Sequence, residues 1–276
     1  MSLNIKKIYI DTRFKTADSK SHSEFTIDLP REFNIPDDTI CYVSDIVMPV
    51  SFRTIDDRNN NFYFSIDFET THIYYDITLE NKNYTGSGFV EALRQKISDI
   101  TTGASLPIIW TSSYDNIDNK MTLSFVDTRT NPPDLMTVTF YSNDSLMNDE
   151  WLHVVSDPKT INYIIALKTK VFLHSMELYT CYLDLHTIRN LYLSSSALAS
   201  YDTISNFGND TIIKKIPVTA NPNSMLFHGA SEGFDYLNLS KRSLRYIDFR
   251  LTDAFYNVVD LRDTHFSFSL VFTSKG

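Results

Sequence analysis

SLRYIDFRLTDAFYNVVDLRDTHFSFSLVF, Ser243 to Phe272, decides the fold class. It holds two alternating patterns joined through a polar corner. In the first, Arg245, Ile247, Phe249 and Leu251 fall on one face and Tyr246, Asp248 and Arg250 on the other. In the second, Phe266, Phe268, Leu270 and Phe272 oppose Ser267 and Ser269. Side chains alternate faces along a strand, so each pattern offers one face to bury and one to wet. That is what a sheet of a β-sandwich requires. A closing strand this apolar completes a core that earlier strands have built, with Asp253 to Asp260 as the turn.

Composition agrees. The 276 residues include 19 Phe and 16 Tyr, types that suit a pleated, half-buried surface. Only seven are Gly, so turns fall to Asn, Asp, Ser and Pro. A formal net charge of −9 argues against a protein that coats nucleic acid, which needs a basic surface to meet phosphates. Met1 is followed by mixed polar and charged residues, and no run reaches the ~20 apolar residues that cross a bilayer. The expectation is a soluble protein made in a cytosol-like compartment, with no membrane and no specific nucleic acid as partner. Cys41 and Cys181 lie inside strand patterns and read as buried thiols.

Ahead of the closing pair, residues 1–23 carry Lys6, Lys7, Arg13, Lys15 and Lys20 against Asp11 and Asp18, and read as a flexible basic arm. Ile8 and Ile10 could form a short strand within it. Glu24–Leu29 alternates until Pro30, which cannot donate to a ladder. Ile40–Met48 is almost continuously apolar, which predicts burial on both faces. Phe62–Phe68 and Ile73–Leu79 alternate again.

The middle then changes period. Phe89, Leu93, Ile97 and Ile100 recur at helical spacing, with Thr85 or Ser87 as cap and Gly103 beyond the end. Strands follow at Ile108–Ser113, Met121–Val126 and Thr137–Tyr141. Asp157 and Pro158 mark a second helix start, with Ile161, Ile164 and Ile165 as its stripe. Strands resume at Leu178–Asp184, Ile188–Ser194, Thr211–Val218, Met225–His228 and Phe234–Leu237.

These elements add up to a mainly β chain. Residues 24–76 plus 171–276 are assigned to a single eight-stranded jelly-roll sandwich, and residues 77–170 to an inserted small α+β subdomain. The alternative is that some middle strands extend the sandwich.

The chemistry is sparse. The histidines, His22, His72, His153, His174, His186, His228 and His265, are scattered, with no His-x-His pair. No nucleophile elbow, phosphate loop or metal motif is present. Gly86-Ser87-Gly88 reads as helix capping rather than as an anion cradle. Asp37-Asp38, Asp56-Asp57, Asp248, Asp253, Asp260 and Asp263 lack the spacing of a calcium loop and read as turn and surface carboxylates. Lys214-Lys215 reads as a charged strand edge that blunts unwanted pairing. No catalytic, cofactor-binding or metal residue is assigned, and no enzyme is expected.

The order of segments carries more than any single residue. FTIDLP (Phe25–Pro30), an IPDD turn and ICYVSDIVMPVSF (Ile40–Phe52) come first. ITLENKNYTGSGFVEALRQKI (Ile77–Ile97) and DPKTINYIIAL (Asp157–Leu167) follow. MELYTCYLDL (Met176–Leu185), TIIKKIPV and the closing stretch, with Leu251, Asp253, Val258 and Leu261 at its corner, complete the series. The series resembles the minor capsid, or penton, proteins of virophages and related polinton-like viruses, across most of residues 24–272. Asn257 departs from it, standing where many relatives carry Gly.

The resemblance implies a structural protein of the virion capsid, made in the host cytoplasm. It implies homopentamers at the five-fold vertices of an icosahedral capsid, in contact with a double-jelly-roll major capsid protein. The insertion would project outwards, where it could meet a host-surface receptor, and the basic arm could order against neighbours or near the genome. A second class of function is a carbohydrate- or receptor-binding jelly-roll module, for which Tyr74, Tyr75 and Tyr114 offer aromatic faces. A β-sandwich enzyme is the third, and the motif search gives it no support.

Overall fold

The structure is a computed structural model that describes residues 5–130, 136–141, 146, 170–172, 179–200, 203–205, 208, 211–229 and 236–274. The chain opens with strands β1 (Lys6–Asp11), β2 (Glu24–Ile35) and β3 (Thr39–Pro49). The middle contributes β4 (Asn61–Phe68), β5 (Thr71–Thr78), helix α1 (Gly86–Gly103), β6 (Ile108–Asp115), β7 (Lys120–Asp127), β8 (Thr137–Phe140), β9 (Lys170–Phe172) and β10 (Tyr179–Tyr182). The chain then runs through β11 (Asn190–Ser194), β12 (Ile212–Pro217), β13 (Met225–Gly229), β14 (Leu237–Leu239), β15 (Arg242–Thr252) and β16 (Ser267–Ser274). The fold is mainly β and jelly-roll-like. The expected helix at Asp157 and Pro158 lies outside the described residues.

Contacts divide the chain into two compact units, Met1–Phe52 with Ile188–Gly276, and Arg53–Thr187. The joints therefore lie at 52/53 and 187/188, not at 76/77 and 170/171 as the sequence suggested. The reason is pairing. β4, expected in the sandwich, bonds β5 and β8, and β10 bonds β7.

The first unit has two antiparallel sheets. One runs β1-β16-β3-β13, with β14 on the rest of β3, and the other runs β12-β11-β15-β2. Pairing is nested along the chain. β1 bonds β16, β2 bonds β15, β3 bonds β13 and β14, and β11 bonds β12. Between the two sheets lies an apolar core. Phe25 stacks on Phe249 at 5.2 Å, Phe268 meets Phe249 edge-on at 5.0 Å, and Phe33 meets Phe272 at 4.9 Å. Each such pair is worth about 0.5–1.5 kcal/mol beyond its burial. Phe266, Phe268, Leu270 and Phe272 are all buried, as their alternation predicted.

The first closing pattern breaks at one place. Ile247, Phe249 and Leu251 are buried, but Arg245 is exposed and Leu244 takes the inward position. The register jumps there, from Leu244 opposite Phe33 to Tyr246 opposite Asp28, because β2 bulges around Pro30. Arg245 turns outward and pairs with Asp28 at 2.8 Å.

The turn after β15 is wider than Asp253–Asp260, reaching to the start of β16. Asp253, itself buried, accepts hydrogen bonds from the backbone N–H of Phe255 and Asn257, both at 2.9 Å, and from the Asn257 side chain at 3.2 Å. Positive φ in this corner belongs to Tyr256 (+66°), Arg262 (+53°) and Asp263 (+58°), and not to Asn257.

The basic arm is not free. β1 pairs along its whole length with β16, and Thr12 and Ser23 are buried. Thr16 N–H donates to the Thr26 carbonyl at 2.9 Å and Thr26 N–H to Ser19 Oγ at 3.0 Å. The segment thus covers the outer edge of β2, whose ladder groups would otherwise face water unpaired.

The second unit packs α1 on the β10-β7-β6 sheet and adds the sheet β5-β4-β8-β9. Thr85 caps α1 by accepting from Gly88 N–H at 3.1 Å, and Phe89, Leu93 and Ile97 are buried, as their spacing predicted. Phe62, Phe64, Trp110, Phe125 and Phe140 form the aromatic part of this core.

Candidate assembly surface

Several of the residues singled out for chemistry have local structural partners. His22 Nδ1 bonds Thr12 Oγ1 at 3.0 Å, His72 bonds Asp67, and His186 lies 3.5 Å from Asp184. His153 and His174 lie outside the described residues. Among the described residues no group of three or more His, Cys, Asp or Glu is placed to hold a metal. Cys41 and Cys181 are free and buried, one in each unit. Burial pushes the Cys41 thiol up, and the Cys181 thiol up to about 12.

The carboxylates serve the turns that hold them. Asp56 pairs with Arg58 at 2.5 Å, Asp37 accepts from Lys241 N–H at 2.8 Å, and Asp260 from Arg262 N–H at 2.7 Å. Asp248 accepts from Ser196 N–H and Oγ and from Ala197 N–H, tying β15 to the loop after β11. Lys215 is exposed on its edge strand as expected, but Lys214 is buried, 2 % exposed, so the pair is not a charged edge. A β-bulge between Leu193 and Ser194 displaces that stretch of β12.

The tyrosines offered as sugar platforms differ. Tyr75 is stacked on Phe64 at 5.0 Å, and Tyr114 donates its hydroxyl to Asn119 at 2.7 Å. Tyr74 keeps an exposed face, with His72 edge-on at 4.3 Å.

What the first unit does present is an apolar outer sheet face. β3 was expected to be buried on both faces, and only one face is covered. Cys41, Val43, Ile46 and Met48 point into the core, while Ile40, Tyr42 and Val47 stay partly exposed on the other side. The change from odd to even numbers marks a bulge. Ser269 faces Asp45 and Leu270 faces Val43, leaving Ser44 unmatched. On either side of β3, the register extends the outer face. Asp11, Ser267, Val47 and Phe227 form one row, and Tyr9, Ser269, Asp45 and Gly229 the next. Tyr9 is 76 % exposed and Phe227 70 %, with Phe14 and Met225 also open. The outer face of the β12-β11-β15-β2 sheet mixes charge with an aromatic ring, carrying Glu24, Thr26, Asp28, Asp248, Arg250 and Lys215 together with the exposed Tyr246 opposite Asp28.

The sequence showed this surface only indirectly. Met225-Leu226-Phe227 has apolar residues at both parities, as β3 does, and that is the signal of a strand with two faces to cover. Phe14 was lost in the reading of residues 1–23 as a flexible basic arm, and Tyr9 in the short strand suggested by Ile8 and Ile10.

No helix among the described residues is long and apolar enough to cross a membrane. No family model matches the chain, and no curated protein matches it. Among solved structures, the crystal structure of selenomethionine-labelled mavirus penton protein matches with a TM-score of 0.55, over 99 % of this chain and 100 % of that one, at 13 % identity. The resemblance read from segment order is thus met by a likeness of fold to a virophage penton protein, along the whole length of both chains.

Proposed function

We propose that this chain is a structural minor capsid protein of the penton type. In this reading the first unit is a single eight-stranded jelly roll, and the unit Arg53–Thr187 is its insertion. Five copies form a ring at an icosahedral five-fold vertex and contact a double-jelly-roll major capsid protein there. The protein resides in the virion, after synthesis in the host cytoplasm.

The observation that carries the reading is the nested pairing. With β13 and β14 counted as one interrupted strand along β3, eight strand positions pair first with last, second with seventh, third with sixth and fourth with fifth. A long hairpin folded in this way and wrapped into two sheets is a jelly roll. The insertion enters between the third and fourth positions, and the likeness to a virophage penton protein spans it too.

A ring of identical subunits needs a rigid body with two different contact surfaces whose rotation closes. The sandwich supplies rigidity and one apolar outer face. A host-surface receptor for the insertion stays part of the proposal, with Tyr74 and His72 as its exposed aromatic pair. Co-expression with a double-jelly-roll major capsid protein, followed by electron cryomicroscopy of the particles, tests the assignment. Density for this chain at the five-fold vertices is expected. Particles that close without it, or that carry it elsewhere, would overturn the reading.

A further inference from the structure

A ring of this kind requires two complementary surfaces on one chain, and the first unit carries two opposite charges without an ion-pair partner among the described residues, whose docking role rests on the ring reading. Asp45 sits at the centre of the apolar outer face. Its carboxylate accepts from Ser44 Oγ at 2.7 Å and from Ser269 Oγ at 3.0 Å, and no described cation pairs with it. It borders a cleft of about 530 Å³ walled by the exposed rings of Tyr9 and Phe14. A carboxylate has room for about four hydrogen bonds, so this one can take two more.

Arg250 is its counterpart on the other sheet. It lies on the outer face of β15, opposite Glu24, whose carboxylate is taken by Lys20 at 2.8 Å. The guanidinium stacks over Tyr256 at 4.4 Å, and its buried Nε has no hydrogen-bond partner among the described residues. Tyr246 and Phe255 stand exposed in the same part of the unit. One sheet thus shows a carboxylate among aromatic rings, and the other a guanidinium among aromatic rings.

We infer that the outer face of the β1-β16-β3-β13 sheet of one copy docks on the outer face of the β12-β11-β15-β2 sheet of the next copy. Asp45 receives the partner subunit's Arg250, and the contact covers Tyr9, Phe14 and Phe227. Three observations converge on a second copy as the occupant. β3 has apolar residues on both faces and buries only one. The charges complement each other as a carboxylate and a planar fork of donors do. The two surfaces lie on opposite sides of one sandwich, so the contact is heterologous, as ring closure requires.

Native mass spectrometry of the full chain across a concentration series tests this, with circular dichroism to check folding. Asp45→Arg and Arg250→Asp are each expected to raise the ring's dissociation midpoint by about tenfold or more, and the double reversal to restore it to within about threefold. Phe227→Ser changes an exposed ring and reads the same surface even where Asp45→Arg fails to fold; it too is expected to weaken the ring by about tenfold. Wild-type rings that persist unchanged in Asp45→Arg and Phe227→Ser would overturn the docking surface and leave the ring reading standing. Single reversals that break rings without rescue by the double variant would overturn the Asp45–Arg250 pairing. A wild-type chain that forms no ring at any concentration would instead overturn the ring reading itself.

Discussion

Tyr114 lies against the backbone of Gly86. A Cβ added at Gly86 would sit 2.1 Å from Tyr114 Cζ and 2.4 Å from its hydroxyl oxygen. Gly86 opens α1 and Tyr114 belongs to β6, so this contact sets how the helix meets its sheet. Alanine is ordinarily the better helix residue, yet Gly86→Ala is expected to destabilise the chain by about 1–3 kcal/mol through overpacking. Tyr114→Ser should remove most of that penalty in the double variant. Urea unfolding followed by tryptophan fluorescence measures both, and additive effects would contradict the account.

Acid stability should depend on Asp127. Arg129 closes on its carboxylate at 2.7 Å, with side chains only 10 % and 16 % exposed, and lies 4.9 Å over the Phe68 ring. The Arg129 hydrogen bonds hold the Asp127 carboxyl below the ordinary value of about 3.9. A depressed folded-state pKa contributes stability that is complete above the unfolded value and is lost as pH falls through the folded one. Asp127→Asn is therefore expected to cost about 1.5–3 kcal/mol at pH 7, and the gap to wild type should narrow as pH drops below about 4. Melting temperatures across pH 2–7 provide the check, and a pH-independent gap would contradict it.

The closing strand should tolerate no charge. Phe268 and Leu270 are at most 1 % exposed. Phe268→Asp or Leu270→Asp buries a carboxylate without a partner and is expected to abolish soluble expression. Phe268→Ala should leave a folded protein weakened by about 3–5 kcal/mol. A soluble, normally melting Phe268→Asp variant would place this strand outside the core.

The corner between the last two strands should depend on one side chain. Asp253→Ala removes the acceptor of three hydrogen bonds in a buried place and is expected to cost about 1–3 kcal/mol. Asp253→Asn keeps a side-chain oxygen and should cost less. Equal losses in the two variants, read from denaturant midpoints, would show that the bonds do not organise the turn.

Much of this fold was legible where alternation is strict. The inward row Phe266, Phe268, Leu270 and Phe272 and the helix face of Phe89, Leu93 and Ile97 were read correctly, while Ser269 and Val271, on the face of β16 read as wet, are buried as well. The readings failed where a bulge changes parity. Arg245 lost its inward place to the bulge around Pro30, and β3 looked doubly buried because the bulge at Ser44 puts core residues at both parities. Long-range pairing was not legible at all. β4 alternates as a sandwich strand does, and only its bonds to β5 and β8 place it in the second unit. The candidate surface was hidden for a related reason. Phe14 sits among charged and polar residues and Tyr9 between Ile8 and Ile10, and only the β1–β16 register puts Tyr9 in the row that also holds Asp45.

The central claim is that copies of this chain close into five-membered rings. Native mass spectrometry of the purified chain over a range of concentrations tests it most directly. The account predicts a species of five chains that grows with concentration and becomes dominant in the presence of a double-jelly-roll major capsid protein. A monomer at every concentration, with and without that partner, would contradict it.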